Sequence, residues 1–133
     1  MSYDYQPVKS SRHKILVAED LSFNIFTMKF MLHSLFKLSD EVVTYTQNGK
    51  QAYEKYVESC KEEKPYSLMI LDFKMPKMTG IEVMLACDAL RDSKYRRLKR
   101  PYFVMETGED DNAVEDECLT QGFDLFCQRP MKI

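Results

Sequence analysis

Between Leu68 and Gly80 the chain reads LMILDFKMPKMTG, the stretch that most restricts the folds open to it. Four apolar residues, Leu68 to Leu71, run without alternation, as expected of a short strand buried on both faces of a parallel sheet. The run delivers Asp72 to the strand's C-terminal end, where open α/β sheets place their chemistry. Met75-Pro76 and Thr79-Gly80 follow. Proline fixes φ and lacks an N–H, and glycine tolerates φ > 0, so the pairs shape a tight loop over the acid. A carboxylate held there suits a metal ligand, a nucleophile or a helix cap.

The remaining segments alternate in the same style. Lys14 to Ala18 (KILVA) reads as a first strand ending in Glu19-Asp20. Leu21 to Phe36 reads as a helix whose core stripe is Leu21, Ile25, Met28, Leu32 and Leu35. Glu41 to Thr46 is a β-branched second strand. Asn48-Gly49 then turns the chain and caps a helix to about Lys61. After Gly80 the pattern predicts a helix from Ile81 to about Leu90, then a basic loop with six Lys/Arg in the ten residues Arg91 to Arg100. Tyr102 to Met105 is the fourth strand, ended by Gly108. An acidic stretch opens the next helix, where negative charge suits the dipole. Gly122 stops that helix, and Leu125 to Gln128 is a fifth strand ending at Arg129-Pro130. Strands alternating with helices imply a doubly wound, five-stranded parallel sheet with right-handed crossovers.

In such a sheet the strands ending in Glu19-Asp20 and in Asp72 are neighbours at the topological switch point. Three acids converging on one rim repel one another unless a cation sits among them. An all-oxygen donor set of this charge suits Mg²⁺, which keeps waters and takes up phosphate oxygens. Over 133 residues the net charge is −2, which argues against nucleic acid or an anionic membrane as the main partner. Cys60, Cys87, Cys118 and Cys127 lack zinc spacing, and free thiols fit a reducing, cytoplasmic compartment. His13 and His33 have no ligand partner by spacing. The basic run leaves a nuclear location open.

On these residues the chain resembles a response-regulator receiver domain, the phospho-acceptor module of two-component signalling. The markers are Glu19-Asp20 after strand one, with Asn24 following as in receivers of hybrid kinases. Asn48-Gly49 comes next, then LDFKMPKMTG with Pro four and Gly eight residues beyond the acid, then Pro101 and Arg129-Pro130. The resemblance spans Lys14 to Pro130 and implies a flavodoxin-like fold, with residues 1–12 as a tail and 13–133 as the domain. It further implies that Asp72 accepts phosphate from a histidine kinase or a histidine phosphotransfer protein. Asp20, Asp72 and the backbone carbonyl of Lys74 would hold Mg²⁺, with Glu19 binding through water. A phosphohydrolase on a similar sheet is disfavoured, because its second acid would fall on Lys74.

Two positions depart from the family. The hydroxyl residue at the end of strand four falls on Glu106, with Thr107 one step late, and the usual lysine is Arg129. Two arrangements fit: a Glu106–Arg129 ion pair, or a one-residue bulge restoring Thr107 to the hydroxyl role. Two functions therefore stand, a phospho-receiver with an altered switch, or a receiver-like scaffold that binds Mg²⁺ and partners without phosphorylation-dependent switching. Phe126 stands where receivers carry an aromatic that swings with the hydroxyl, and core packing is its other reading. The chain ends at Ile133, so the family's fifth helix is expected to be missing and the sheet face beside the first helix uncovered. Phe23, Phe26 and Phe30 fall opposite the first helix's core stripe. They are expected to dock a partner, or to lie under Tyr3, Tyr5 and Val8 of the tail. The chain is accordingly expected to be part of a longer protein, a dimer or an obligate partner-binder.

Overall fold

The structure, a computed structural model, describes residues 14–108 and 112–129, except for the side chain of Asn112. The tail, His13, the acidic residues 109–111 and residues 130–133 lie outside this range, and with them the expected cover by Tyr3, Tyr5 and Val8. The strands are β1 (Ile15–Ala18), β2 (Val43–Thr46), β3 (Leu68–Leu71), β4 (Tyr102–Thr107) and β5 (Leu125–Gln128). Between them lie α1 (Ser22–Lys29) with a π-helical continuation (Phe30–Leu35), α2 (Gly49–Lys61), α3 (Gly80–Lys94) and α4 (Asn112–Gln121). All five strands are parallel in the order β2-β1-β3-β4-β5, the doubly wound arrangement expected from the alternation. β1 and β3 are neighbours, with Ala18 beside Leu71, so the residues that follow them share one rim.

Alternation along the strands sorts the core into two layers. Leu16, Ala18, Met69, Leu71, Phe103 and Met105 face α2, α3 and α4, where they meet Ala52, Tyr56, Val83, Met84 and Cys118. Val17, Val43, Ile70 and Val104 face the other way, against Met28, Met31 and Leu32 of the first helix. Burying each such side chain stabilises the fold by roughly 1.5–3 kcal/mol. Among the described residues the second layer has one helix where the first has three. Among the described residues no helix follows β5, and Leu125 at the start of that strand is 44% exposed.

Two stretches differ from the sequence-based expectation. Helix α3 runs on to Lys94, so the first part of the basic run is helical, not loop. The second half of the first helix is π-helical, with the Phe36 N–H bonding back to the Met31 carbonyl at 3.1 Å. A ladder that skips five residues turns less per residue than the 100° on which the core stripe was drawn. The stripe consequently drifts: Met31 is buried, while Leu35 is 50% exposed. Leu21, expected in the same stripe, sits at the N-cap and is 55% exposed. His33, which sequence spacing leaves without a role, closes this segment. Its Nδ1 donates to the Leu38 carbonyl at 2.6 Å, and its Nε2 shares a hydrogen bond with the Tyr45 hydroxyl at 2.9 Å.

Candidate functional site

The rim beyond β1, β3, β4 and β5 gathers four acids and one arginine. Asp72 is set by its backbone, whose N–H donates to the Ala18 carbonyl at 3.0 Å, and by the helix that follows. Thr79 caps α3 reciprocally with Glu82, the two bonds measuring 3.0 and 3.1 Å. Gly80 then lets the helix start press against the acid: a Cβ there would meet the Asp72 carbonyl oxygen at 2.3 Å. Gly49 makes a similar approach at the start of α2, where a Cβ would meet the Met78 carbonyl oxygen at 2.1 Å. Its N–H also reaches the Pro76 carbonyl at 3.4 Å, tying the β3–α3 loop to α2.

Glu19, Asp20 and Asp72 each present a carboxylate oxygen, all within 4.8 Å of one another. Glu19 and Asp72 are buried, and Asp20 is exposed to solvent. One Glu19 oxygen accepts from the Leu21 N–H at 3.2 Å, while the other is buried with no hydrogen-bond partner. Facing the Arg129 guanidinium at 3.6 Å without a hydrogen bond, that oxygen fits a place for a water or a cation. Burial, then the charge of Asp72, pushes the Glu19 carboxyl up to about 7, against the pull of the Leu21 N–H and Arg129. Burial also raises Asp72, an effect that Arg129 opposes.

Arg129 enters this cluster from the end of β5. Its Nη2 donates to Asp72 Oδ1 at 2.9 Å and lies 3.6 Å from Glu19 Oε2. Its Nε lies 3.0 Å from Glu106 Oε1, off the N–H direction, so that contact is electrostatic and not an aligned hydrogen bond. Glu106 is 4% exposed, and burial pushes its carboxyl up to about 7, with Arg129 opposing. Of the two arrangements drawn from sequence, the structure contains the ion pair. β4 pairs with β5 continuously from Val104 to Thr107 with no bulge, so Thr107 points to the opposite sheet face from Glu106. The sequence pointed to the partnership with Glu106 but missed the stronger contact of Arg129 with Asp72. The resemblance put Arg129 in place of the lysine that grips a phosphoryl group on Asp72; its hydrogen bond to the Asp72 carboxylate itself, 57 positions away, is what the structure adds.

Lys74 is exposed in the β3–α3 loop. Phe126 pairs with Met105 and packs, half-buried, against the α2–α3–α4 core, on the sheet face opposite Glu106. Phe23, Phe26 and Phe30 are 78%, 68% and 55% exposed along one side of the first helix. A cavity of about 300 Å³ runs from that side down to Glu106 and Arg129, walled by Phe23, Thr27, Met28 and Met31. It occupies the under-covered sheet face.

Compared with known proteins, residues 15–133 match the family model described as response regulator receiver domain. The chain is 28% identical over 125 residues to hybrid signal transduction histidine kinase B of Dictyostelium discoideum, covering 90% of this chain and 6% of that protein. It is 40% identical over 73 residues to chemotaxis protein CheY of Bacillus subtilis, covering 54% of this chain and 53% of that protein. It thus spans a small fraction of the kinase and about half of CheY. Among solved structures, the receiver domain of histidine kinase CKI1 from Arabidopsis thaliana, complexed with Mg²⁺ and BeF₃⁻, superposes with a TM-score of 0.72 at 21% identity, covering 87% of this chain and 80% of that one. That likeness is one of fold.

Proposed function

Because this chain belongs to the response regulator receiver family, we propose that Asp72 accepts a phosphoryl group from the phosphohistidine of a histidine kinase or histidine phosphotransfer protein, with Mg²⁺ as cofactor. The carrying observation is the Glu19–Asp20–Asp72 triad, its oxygens within 4.8 Å, with one buried Glu19 oxygen lacking any hydrogen bond. Hard carboxylate oxygens are the donors Mg²⁺ takes. Asp20, Asp72 and the backbone carbonyl of Lys74 would hold the ion, and Glu19 would reach it through water. When bound, Mg²⁺ supplies neutralisation of the negative charge that gathers on the phosphoryl oxygens.

The chain's own residues then position and orient. An Asp72 oxygen forms the bond to phosphorus as the phosphorus–imidazole bond breaks, the electron pair staying on the ring nitrogen. Arg129 favours the anionic form of Asp72 in the resting state. Its planar fork also matches phosphoryl oxygens, so the same residue serves the carboxylate before transfer and the phosphoryl group after it. Glu106 stands where the family carries a hydroxyl, and Thr107 faces away, so phosphorylation is read through the Glu106–Arg129 pair. Phe126 is the residue proposed to move with that pair. Phe23, Phe26 and Phe30 form the docking face for the histidine-bearing partner. In this reading residues 13–133 are the receiver domain after a 12-residue tail, working in the cytoplasm or nucleus, with chemistry confined to the domain's own phosphorylation and dephosphorylation.

One observation favours a second reading. Arg129 already fills the space among the acids, and Glu106 adds negative charge where a phosphoryl group would lie. A scaffold that binds Mg²⁺ and partners without a phosphorylation switch would carry the same site. Intact mass after incubation with Mg²⁺ and acetyl phosphate separates the two. One added phosphoryl group in the wild type, and none in Asp72→Asn, supports the phospho-acceptor. No adduct in either, with Mg²⁺ still bound by calorimetry, supports the scaffold.

A further inference from the structure

At the opposite pole from Asp72, below the N-terminal ends of β3 and β4, lies a cleft of about 670 Å³. It falls within the ~300–1,000 Å³ usual for ligand sites. One wall is the α2–β3 connection, Glu63 to Ser67, and the other is the end of the basic run with Pro101 and Tyr102. The proposed phosphoryl chemistry uses none of these residues.

The charges of the cleft are unevenly spent. Its two carboxylates are already engaged. Glu63 pairs with Arg97, and Asp124 is held by Arg100 Nη1 at 3.0 Å while accepting from the Phe103 N–H at 2.8 Å. Arg100 is committed too: Nε and Nη2 bond Asp88 at 2.9 and 3.3 Å, and Nη2 also bonds the Gly122 carbonyl at 2.8 Å. Lys64 and Lys99 on the two rims have no carboxylate partner among the described residues. Lys14 adds a third such ammonium, its Nζ donating to the Lys64 carbonyl at 3.1 Å and lying 4.7 Å over the Tyr66 ring. Between these cations the surface is apolar. That apolar surface is half-buried Pro65 and Tyr102, which is 49% exposed, with Pro101 buried.

We propose that this cleft is a docking site for an acidic peptide segment of a partner protein, one that sets an aromatic or apolar residue against Tyr102 and Pro65 and its flanking carboxylates against Lys64, Lys99 and Lys14. Arg100 serves two carboxylates, Asp88 and Asp124, but Lys64, Lys99 and Lys14 outnumber the acid left over, which favours an anionic ligand on a chain of net charge −2. The cleft lies open along one side, so it grips one face of an extended chain and does not enclose a small molecule. Four residues of β3, at about 3.3 Å each, separate it from Asp72, so it can be filled while the phosphoryl site is engaged.

The test titrates a fluorescein-labelled Glu-Asp-Phe-Asp-Glu peptide into the whole chain, read by anisotropy and by amide shifts in a ¹H–¹⁵N spectrum. Binding should weaken with salt and shift Lys64, Tyr66 and Tyr102 while leaving Asp72 in place. The neutral Gln-Asn-Phe-Asn-Gln peptide should bind at least about tenfold more weakly, as should the acidic peptide with Lys64→Glu/Lys99→Glu. Both lysines are solvent-exposed, so that variant should melt with the wild type and report binding alone. Equal affinity for the neutral peptide, an unaffected double variant, shifts mapping elsewhere, or tighter binding of a single-stranded oligonucleotide would each overturn the proposal.

Discussion

Arg129 is the residue on which the site turns, a single guanidinium within 2.9–3.6 Å of three carboxylates. Replacing it by Gln should tighten Mg²⁺ binding by about 3–10-fold in calorimetry, because a competing cation has gone. The same variant should lose roughly 1–3 kcal/mol of stability without Mg²⁺, since its acids are left unpaired. Weaker Mg²⁺ binding in Arg129→Gln would show that the arginine prepares the site and does not compete for it. The acids make a second, pH-dependent prediction. Glu19 and Glu106 are both raised from 4.5 to about 7 in the folded chain, so the fold is relatively favoured when they carry protons. Their contribution is complete below about 4.5 and is lost as pH rises through about 7. In chelator, the melting temperature should therefore fall by roughly 3–6 °C from mildly acidic to mildly basic buffer. Glu106→Gln, which cannot ionise, should flatten that slope, and an unchanged slope would remove Glu106 from the explanation. The identities of Glu19, Asp20 and Asp72 were legible because each follows an unbroken apolar strand. Glu106 was legible by counting from Pro101. The resemblance brought Arg129 to the phosphoryl site, but its direct hydrogen bond to the Asp72 carboxylate was not legible, because it depends on a rotamer.

Among the elements, the first helix departs furthest from what its sequence implies. A 3.6-residue period placed Leu35 in the core, and the π-helical turn places Met31 there instead. Nothing in FMLHSL announces that change of ladder. The His33 contacts with the Leu38 carbonyl and the Tyr45 hydroxyl that close the segment are tertiary. Leu32, 7% exposed on this helix, should cost about 2–5 kcal/mol when changed to Ala, measured by urea unfolding. Phe23→Ser with Phe26→Ser should change stability by under about 1 kcal/mol, since both rings face water, yet weaken capture of phosphotransfer partners. A large stability loss in that pair would mean that the rings pack against the chain itself. The start of α3 was far easier to read. Thr79-Gly80 before an apolar run is a cap signal, and the structure turns it into the stop against Asp72. Gly80→Ala must push the helix or the acid aside, so it should impair phosphorylation more than Thr79→Ala, which removes only a cap worth about 1 kcal/mol.

For the molecule as a whole, strand alternation was enough to give the sheet, its parallel sense and the rim where the acids meet. Five short strand-like runs separated by helical segments leave few other topologies. The strand order β2-β1-β3-β4-β5 then places the switch point between β1 and β3, beside Asp72. Sequence periodicity alone could not show how the sheet's two faces share their cover. Among the described residues one helix stands against three, and the cavity of about 300 Å³ beside Arg129 lies on the one-helix side. A partner seated on Phe23 and its neighbours would therefore close over the same arginine that holds Asp72. Asp72, and no other acid of the rim, is expected to take the phosphoryl group. Borohydride reduction of the phosphorylated chain, followed by peptide mass spectrometry, locates the acyl phosphate directly. A homoserine at position 72 alone is the expected result. Label at Asp20 or Glu19, or no reducible phosphate after incubation with a competent donor and Mg²⁺, would contradict it.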